Sequence, residues 1–81
     1  MVKWEEYIVS DPAVLLGKPC IKGTRLSVEF IVKLYASGWT EQMMFENYRR
    51  LTPESLRAVF AFIEECIKDV ALFELPPATA A

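Results

Sequence analysis

From Glu54 to Leu75 the chain contains neither glycine nor proline, and Thr52, Pro53 and Glu54 stand at the mouth of that stretch. The threonine hydroxyl accepts from an unpaired first-turn amide. Proline suits the first helical position because the N–H it lacks would have no partner there. A carboxylate in the first turn meets the positive end of the helix dipole. The spacing predicts one long helix over residues 53–73. In a chain of 81 residues this element dictates the architecture, because only one core can form and the rest must pack on the helix. At about 100° per residue, Leu56, Phe60, Ile63, Ile67 and Val70 make one apolar stripe, and Val59, Phe62, Cys66 and Phe73 make a second beside it. The combined arc is about 180° wide, against about 100° for an ordinary surface helix. The first stripe is expected to cover the core. The second is the candidate interface for a homodimer or another partner. A more deeply enveloped helix is the alternative.

The remaining elements are short. Ser27 can cap a helix over 28–37, whose Val28, Phe30, Ile31, Leu34 and Tyr35 follow helical spacing and which Gly38 ends. Thr40 and Glu41 start a second helix over 41–48, with Met43, Met44 and Tyr48 on its apolar side. Residues 7–26 read as a β-ribbon and loop. Tyr7-Ile8-Val9 is one β-prone run and Thr24-Arg25-Leu26 another, with Cys20-Ile21 extended and turns expected at Gly17 and Gly23. Asp11 and Pro12 suggest a single helical turn between them. The outline is mainly α, one domain over 1–73, with a mobile tail expected over 74–81 after Pro76 and Pro77.

Several functions are poorly served. The chain has no histidine, which removes the commonest general base and every His-ligated metal site. Cys20 and Cys66 are far apart, so neither a disulfide framework nor a zinc site is expected, and free thiols fit a reducing compartment. Cys66 is expected to be a small buried hydrophobe, and Cys20 could be exposed. Gly17-Lys18 is followed by Pro19 where a P-loop needs Ser or Thr. No apolar run reaches the length of a membrane span, and the acidic start does not resemble a signal peptide. The expectation is a cytoplasmic protein that is no enzyme and needs no cofactor.

Charge is informative only locally. The net charge is −2, yet residues 1–57 carry eight basic against seven acidic side chains and the remainder is acidic. Lys18, Lys22 and Arg25 form one basic cluster, and Arg49, Arg50 and Arg57 a second. They are either a solvated surface or a phosphate-facing patch. Three helices with a short middle one outline a helix-turn-helix, whose last helix would offer Ser55, Arg57 and small Ala58 to a groove of DNA. Arg49, Arg50 and Thr52 would then lie against the phosphate backbone.

The segments Ile8-Val9-Ser10-Asp11-Pro12 and Gly17-Lys18-Pro19-Cys20-Ile21-Lys22-Gly23-Thr24-Arg25-Leu26-Ser27-Val28 closely resemble the signature of domain-of-unknown-function family 433. Gly38, Thr40-Glu41, Tyr48 and Leu51-Thr52-Pro53-Glu54-Ser55-Leu56 continue the match, which spans roughly residues 7–70. Leu16 stands where a second glycine is common, and Ser27 where proline is usual. The resemblance implies a homeodomain-like or winged-helix-like helix-turn-helix with a short N-terminal β-ribbon. It also implies an antitoxin of a type II toxin-antitoxin pair, which binds double-stranded DNA as a homodimer and neutralises a PIN-like ribonuclease encoded nearby. The candidate DNA contacts are Lys18, Lys22, Arg25, Arg49, Arg50, Thr52, Ser55 and Arg57, and the candidate interface is Val59, Phe62, Cys66 and Phe73. Arg25 could instead hold loop carbonyls. The competing reading is a protein-interaction module that never touches DNA.

Overall fold

The computed structural model describes residues 3–68. Two strands, β1 (Ile8–Val9) and β2 (Cys20–Ile21), precede three helices, α1 (Val28–Ala36), α2 (Glu41–Asn47) and α3 (Pro53–Lys68). The fold is mainly α with a short N-terminal ribbon. Short 3-10 turns at Trp4–Glu6 and Leu15–Gly17 flank β1.

Each helix start is capped by the residue the sequence points to. Ser27 Oγ accepts from the Phe30 amide and Thr40 Oγ1 from the Met43 amide. At α3 the capping is reciprocal: the Ser55 amide donates to Thr52 Oγ1, and the Thr52 amide donates to Ser55 Oγ. The end of α1 is a Schellman motif. The Trp39 amide donates to the Leu34 carbonyl and the Gly38 amide to that of Tyr35, with Gly38 at φ +93°.

The ribbon pairs within the chain, antiparallel, with Ile8 opposite Ile21 and Val9 opposite Cys20. Its second strand is Cys20–Ile21 and not Thr24-Arg25-Leu26. Those three residues complete a tight reversal instead: the Ile21 amide donates to the Leu26 carbonyl, and Thr24 Oγ1 donates to the Ile21 carbonyl while accepting from the Leu26 amide. Gly23 turns the corner at φ +78°. The expected single turn after Asp11 is present: the Val14 amide donates to the Asp11 carbonyl at 2.8 Å, and Asp11 Oδ1 accepts from the Ala13 amide.

Ile8, Ile21, Val28, Ile31, Leu34, Met44, Leu51, Leu56, Ala58 and Val59 form the core. Ile31, Met44 and Val59 are wholly enclosed, each worth about 1.5–3 kcal/mol relative to exposure. Trp4 closes the core from outside by an edge-on contact with Phe62, ring centres 5.0 Å apart.

The two-stripe description of α3 needs correction. Val59, assigned to the interface, is fully buried, whereas Phe60 and Ile67, assigned to the core, are 43% and 45% exposed. Phe62, also assigned to the interface, packs against the core with Ile63, while Arg57, Phe60, Glu64 and Ile67 are exposed, so the inward face is rotated around the helix from the one expected. Ser55, Leu56, Ala58 and Val59 are buried in the first two turns, and no described residue of α3 after Val59 is. A wheel gives the angles between side chains and not which of them the neighbouring elements cover. The cysteines are likewise exchanged, since Cys20 is buried between the ribbon and α1 and Cys66 is exposed. Met43 is 40% exposed while Met44 is fully buried. Phe73, the fourth candidate interface residue, and the tail 74–81 lie outside the described residues. No helix among the described residues is long and apolar enough to cross a membrane.

Candidate functional site

The tight reversal 22–26 and the turn 48–51 come from distant parts of the sequence and meet on one face. The join is specific: Arg50 Nη1 donates to the carbonyl oxygen of Gly23 at 2.8 Å. On the α side, the Leu51 amide closes the turn onto the Tyr48 carbonyl, and buried Leu51 fastens it to the core. On the ribbon side, the Lys22 amide donates to the Tyr7 carbonyl.

Between these turns runs a groove of about 870 Å³. Half-buried Val9, Val14, Leu26 and Tyr48, with buried Cys20, give it an apolar floor. Exposed Lys22, Arg25, Arg49 and Arg50 edge it, against one carboxylate, Asp11. Tyr48 is held from behind, edge-on to Phe30 at 5.6 Å. Asn47 also lines the groove, its side-chain amide donating to the Met43 carbonyl.

Four of the eight residues expected at a DNA surface are therefore brought together. The other four are not. Lys18 pairs with Glu29 at 2.9 Å, and Lys18 holds the Glu29 carboxyl below its ordinary range by that hydrogen bond and by its charge. Arg57 is exposed in a separate small cleft with Glu41, Phe45 and Phe60. Thr52 is exposed, but its hydroxyl is engaged in the cap of α3. Ser55 is 3% exposed and spends its hydroxyl on Thr52, so it cannot read a base. Ala58, expected to let α3 approach DNA closely, is fully buried. The first turns of α3 face the core because they must anchor the helix, and only Glu54 and Arg57 among their charged side chains face outward. Arg25 makes no hydrogen bond among the described residues, so it does not hold loop carbonyls; Arg50 does that work.

Asp11, Val14, Asn47 and Tyr48 were not expected at the site from the sequence. The apolar members carry no chemical signature, and their shared position depends on the long-range contact between Arg50 and Gly23. Tyr48 is the one with a local signal, an aromatic directly before two arginines.

The loop that supplies Asp11 and Val14 has unusual backbone geometry. Leu15, Leu16 and Gly17 all have positive φ, at +52°, +57° and +84°. For leucine this conformation costs of order 1–3 kcal/mol, while glycine adopts it freely. Ser10 Oγ donates to the Gly17 carbonyl and the Gly17 amide donates to the Val14 carbonyl, which closes the loop. Leu16 projects from it 93% exposed.

Residues 8–63 match the protein family described as "Protein of unknown function (DUF433)", well over half of the chain. No curated protein and no solved structure matches it.

Proposed function

The chain belongs to the DUF433 family, and from that membership and the groove we propose that it is the antitoxin of a type II toxin-antitoxin pair, binding double-stranded DNA as a homodimer and silencing a PIN-like ribonuclease. The observation that carries the DNA-binding half is the convergence of Lys22, Arg25, Arg49 and Arg50 around one groove. A net −2 chain gains nothing in its core from gathering four cations there, and a sugar-phosphate backbone is the ligand such a rim suits. The α2–α3 turn and the ribbon reversal would grip phosphates, and Arg57 would meet the flank. The homodimer would use the second half of α3, where Phe60 and Ile67 stand in solvent beside half-buried Ile63.

The protein-interaction module is the second reading. The apolar groove floor and the exposed Leu16, Phe60 and Ile67 favour it. One experiment separates the two: an electrophoretic shift of DNA fragments from around the chain's own gene, repeated with Arg25→Ala/Arg49→Ala. A shift that weakens in the variant supports the repressor. The absence of any shift, with a stable complex to a co-expressed neighbouring protein, supports the module.

A further inference from the structure

We propose that the groove and the crest of the loop at Leu16 together form the docking site for a protein partner that presents an acidic segment bearing apolar side chains. This deepens the antitoxin reading and rests on its premise of a protein partner, to which it adds the surface used and the chemistry recognised.

The rim alone does not choose between phosphates and carboxylates. The floor does. A duplex laid across the four cations satisfies their charge but leaves Val14, Leu26 and Tyr48 facing water. A segment with both carboxylates and apolar side chains engages rim and floor at once, the usual composition of a protein-recognition site. A single-stranded nucleic acid would need successive ring platforms for its bases. Tyr48 is the one aromatic ring lining the groove.

The loop gives a second, independent indication. Leu16 is the most exposed large apolar side chain of the described residues, and it is held in a backbone conformation leucine disfavours. Strain of this kind persists where the surroundings enforce it and often marks a binding segment. The same loop places Val14 in the groove floor, and the Gly17–Val14 hydrogen bond ties crest to floor. An exposed leucine offers nothing to a phosphate or a metal ion. Beside the groove it would enlarge the apolar surface that a protein partner covers.

Partner carboxylates and DNA phosphates would then compete for the same four cations, so one copy of the groove holds one or the other.

The test is selection of a random dodecapeptide library on phage against the immobilised full-length chain. The expected winners combine Asp or Glu with Leu, Ile or Phe. A synthetic winner is expected to lose affinity about tenfold or more to Arg25→Glu/Arg49→Glu and about fivefold to Leu16→Gly, and to displace a labelled random-sequence duplex. Leu16→Gly also relieves the strained backbone, so it is expected to melt no lower than the parent, which separates a lost contact from lost folding. Absence of enrichment, winners without acids, or winners indifferent to both variants would overturn the proposal. Duplex binding without peptide winners sinks the docking site and leaves the DNA reading standing. Peptide winners with no duplex binding do the reverse.

Discussion

Arg50 and Gly23 lie 27 positions apart, and a single hydrogen bond of 2.8 Å from the guanidinium to the glycine carbonyl joins the two basic segments of the chain. Gly23 can offer that carbonyl because its φ of +78° turns the peptide outward at the tip of the reversal. Arg49, next to it, makes no hydrogen bond among the described residues. Both adjacent arginines edge the groove, and Arg50 alone also fastens its two sides together.

That difference is measurable. Arg50→Ala is expected to lower stability by about 0.5–1.5 kcal/mol, the net worth of one such bond. The shift is a few degrees in the melting temperature of a domain this small. Arg49→Ala is expected to leave melting unchanged. Calorimetry of the two variants side by side decides the matter, and equal losses would mean that the Gly23 contact is not what holds the turns together.

If the groove rim meets DNA, salt reports it. Four phosphate contacts per subunit, eight in the dimer, give a slope of log affinity against log salt of about −7.2. Arg49→Ala, which removes one contact from each subunit, is expected to make that slope shallower by about two. Titrations at several salt concentrations measure both. A slope unmoved by the substitution would place the phosphates elsewhere on the chain.

Local chemistry made the helices legible. Ser27, Thr40 and Thr52 cap where their hydroxyls can reach a first-turn amide, and Gly38 ends α1 because it can take φ of +93°. These depend on neighbours within a few positions, which a sequence displays directly. The groove was legible only in halves. Lys22 and Arg25 stand out as one cluster and Arg49 and Arg50 as another, but nothing local brings them to one face. Burial along α3 was misread for a related reason. Periodicity gives the angle between Val59 and Phe60 around the helix and says nothing of which of the two the other elements cover. Ser55 looked free because a serine in a first turn is polar, yet its hydroxyl completes the cap with Thr52.

Ser55 therefore tests the role of the α3 N-terminus. Thr52→Ala and Ser55→Ala are each expected to cost about 1 kcal/mol of stability through the shared cap. At temperatures where both variants are folded, Ser55→Ala is expected to leave DNA affinity intact. A loss of affinity in a fully folded Ser55→Ala chain would show that α3 presents this turn to a base after all.

Neighbouring positions of α3 are expected to separate folding from association. Val59→Ala removes buried methyl groups from an enclosed site and is expected to cost about 2 kcal/mol with no effect on oligomeric state. Phe60→Glu places a charge where the ring is 43% exposed, against Tyr35 at 5.2 Å. It is expected to weaken self-association more than stability. Sedimentation velocity reads the first property and thermal melting the second. Self-association that survives Phe60→Glu would remove this face from the dimer.

A tyrosine–carboxylate contact and a lysine–carboxylate contact set opposite limits on pH. Desolvation raises the Tyr35 phenol above its ordinary 10.0, and its hydrogen bond to Glu41 Oε1 at 3.2 Å acts in the same direction, because the phenol donates. A raised folded pKa means the folded chain keeps its proton longer than the unfolded one. The stabilisation is complete below 10.0 and fades as pH rises through the folded value. Lys18 lowers the Glu29 carboxyl from its ordinary 4.5, so that contribution is present above 4.5 and fades as pH falls through the folded value. Both groups are largely solvated, so the effects are small and the acid one diminishes with salt. Melting temperature followed across pH is expected to sag at both ends. Tyr35→Phe is expected to flatten the alkaline limb alone, and Lys18→Met the acid limb alone. A variant that alters the limb belonging to the other pair would show that neither contact acts independently of the rest of the fold.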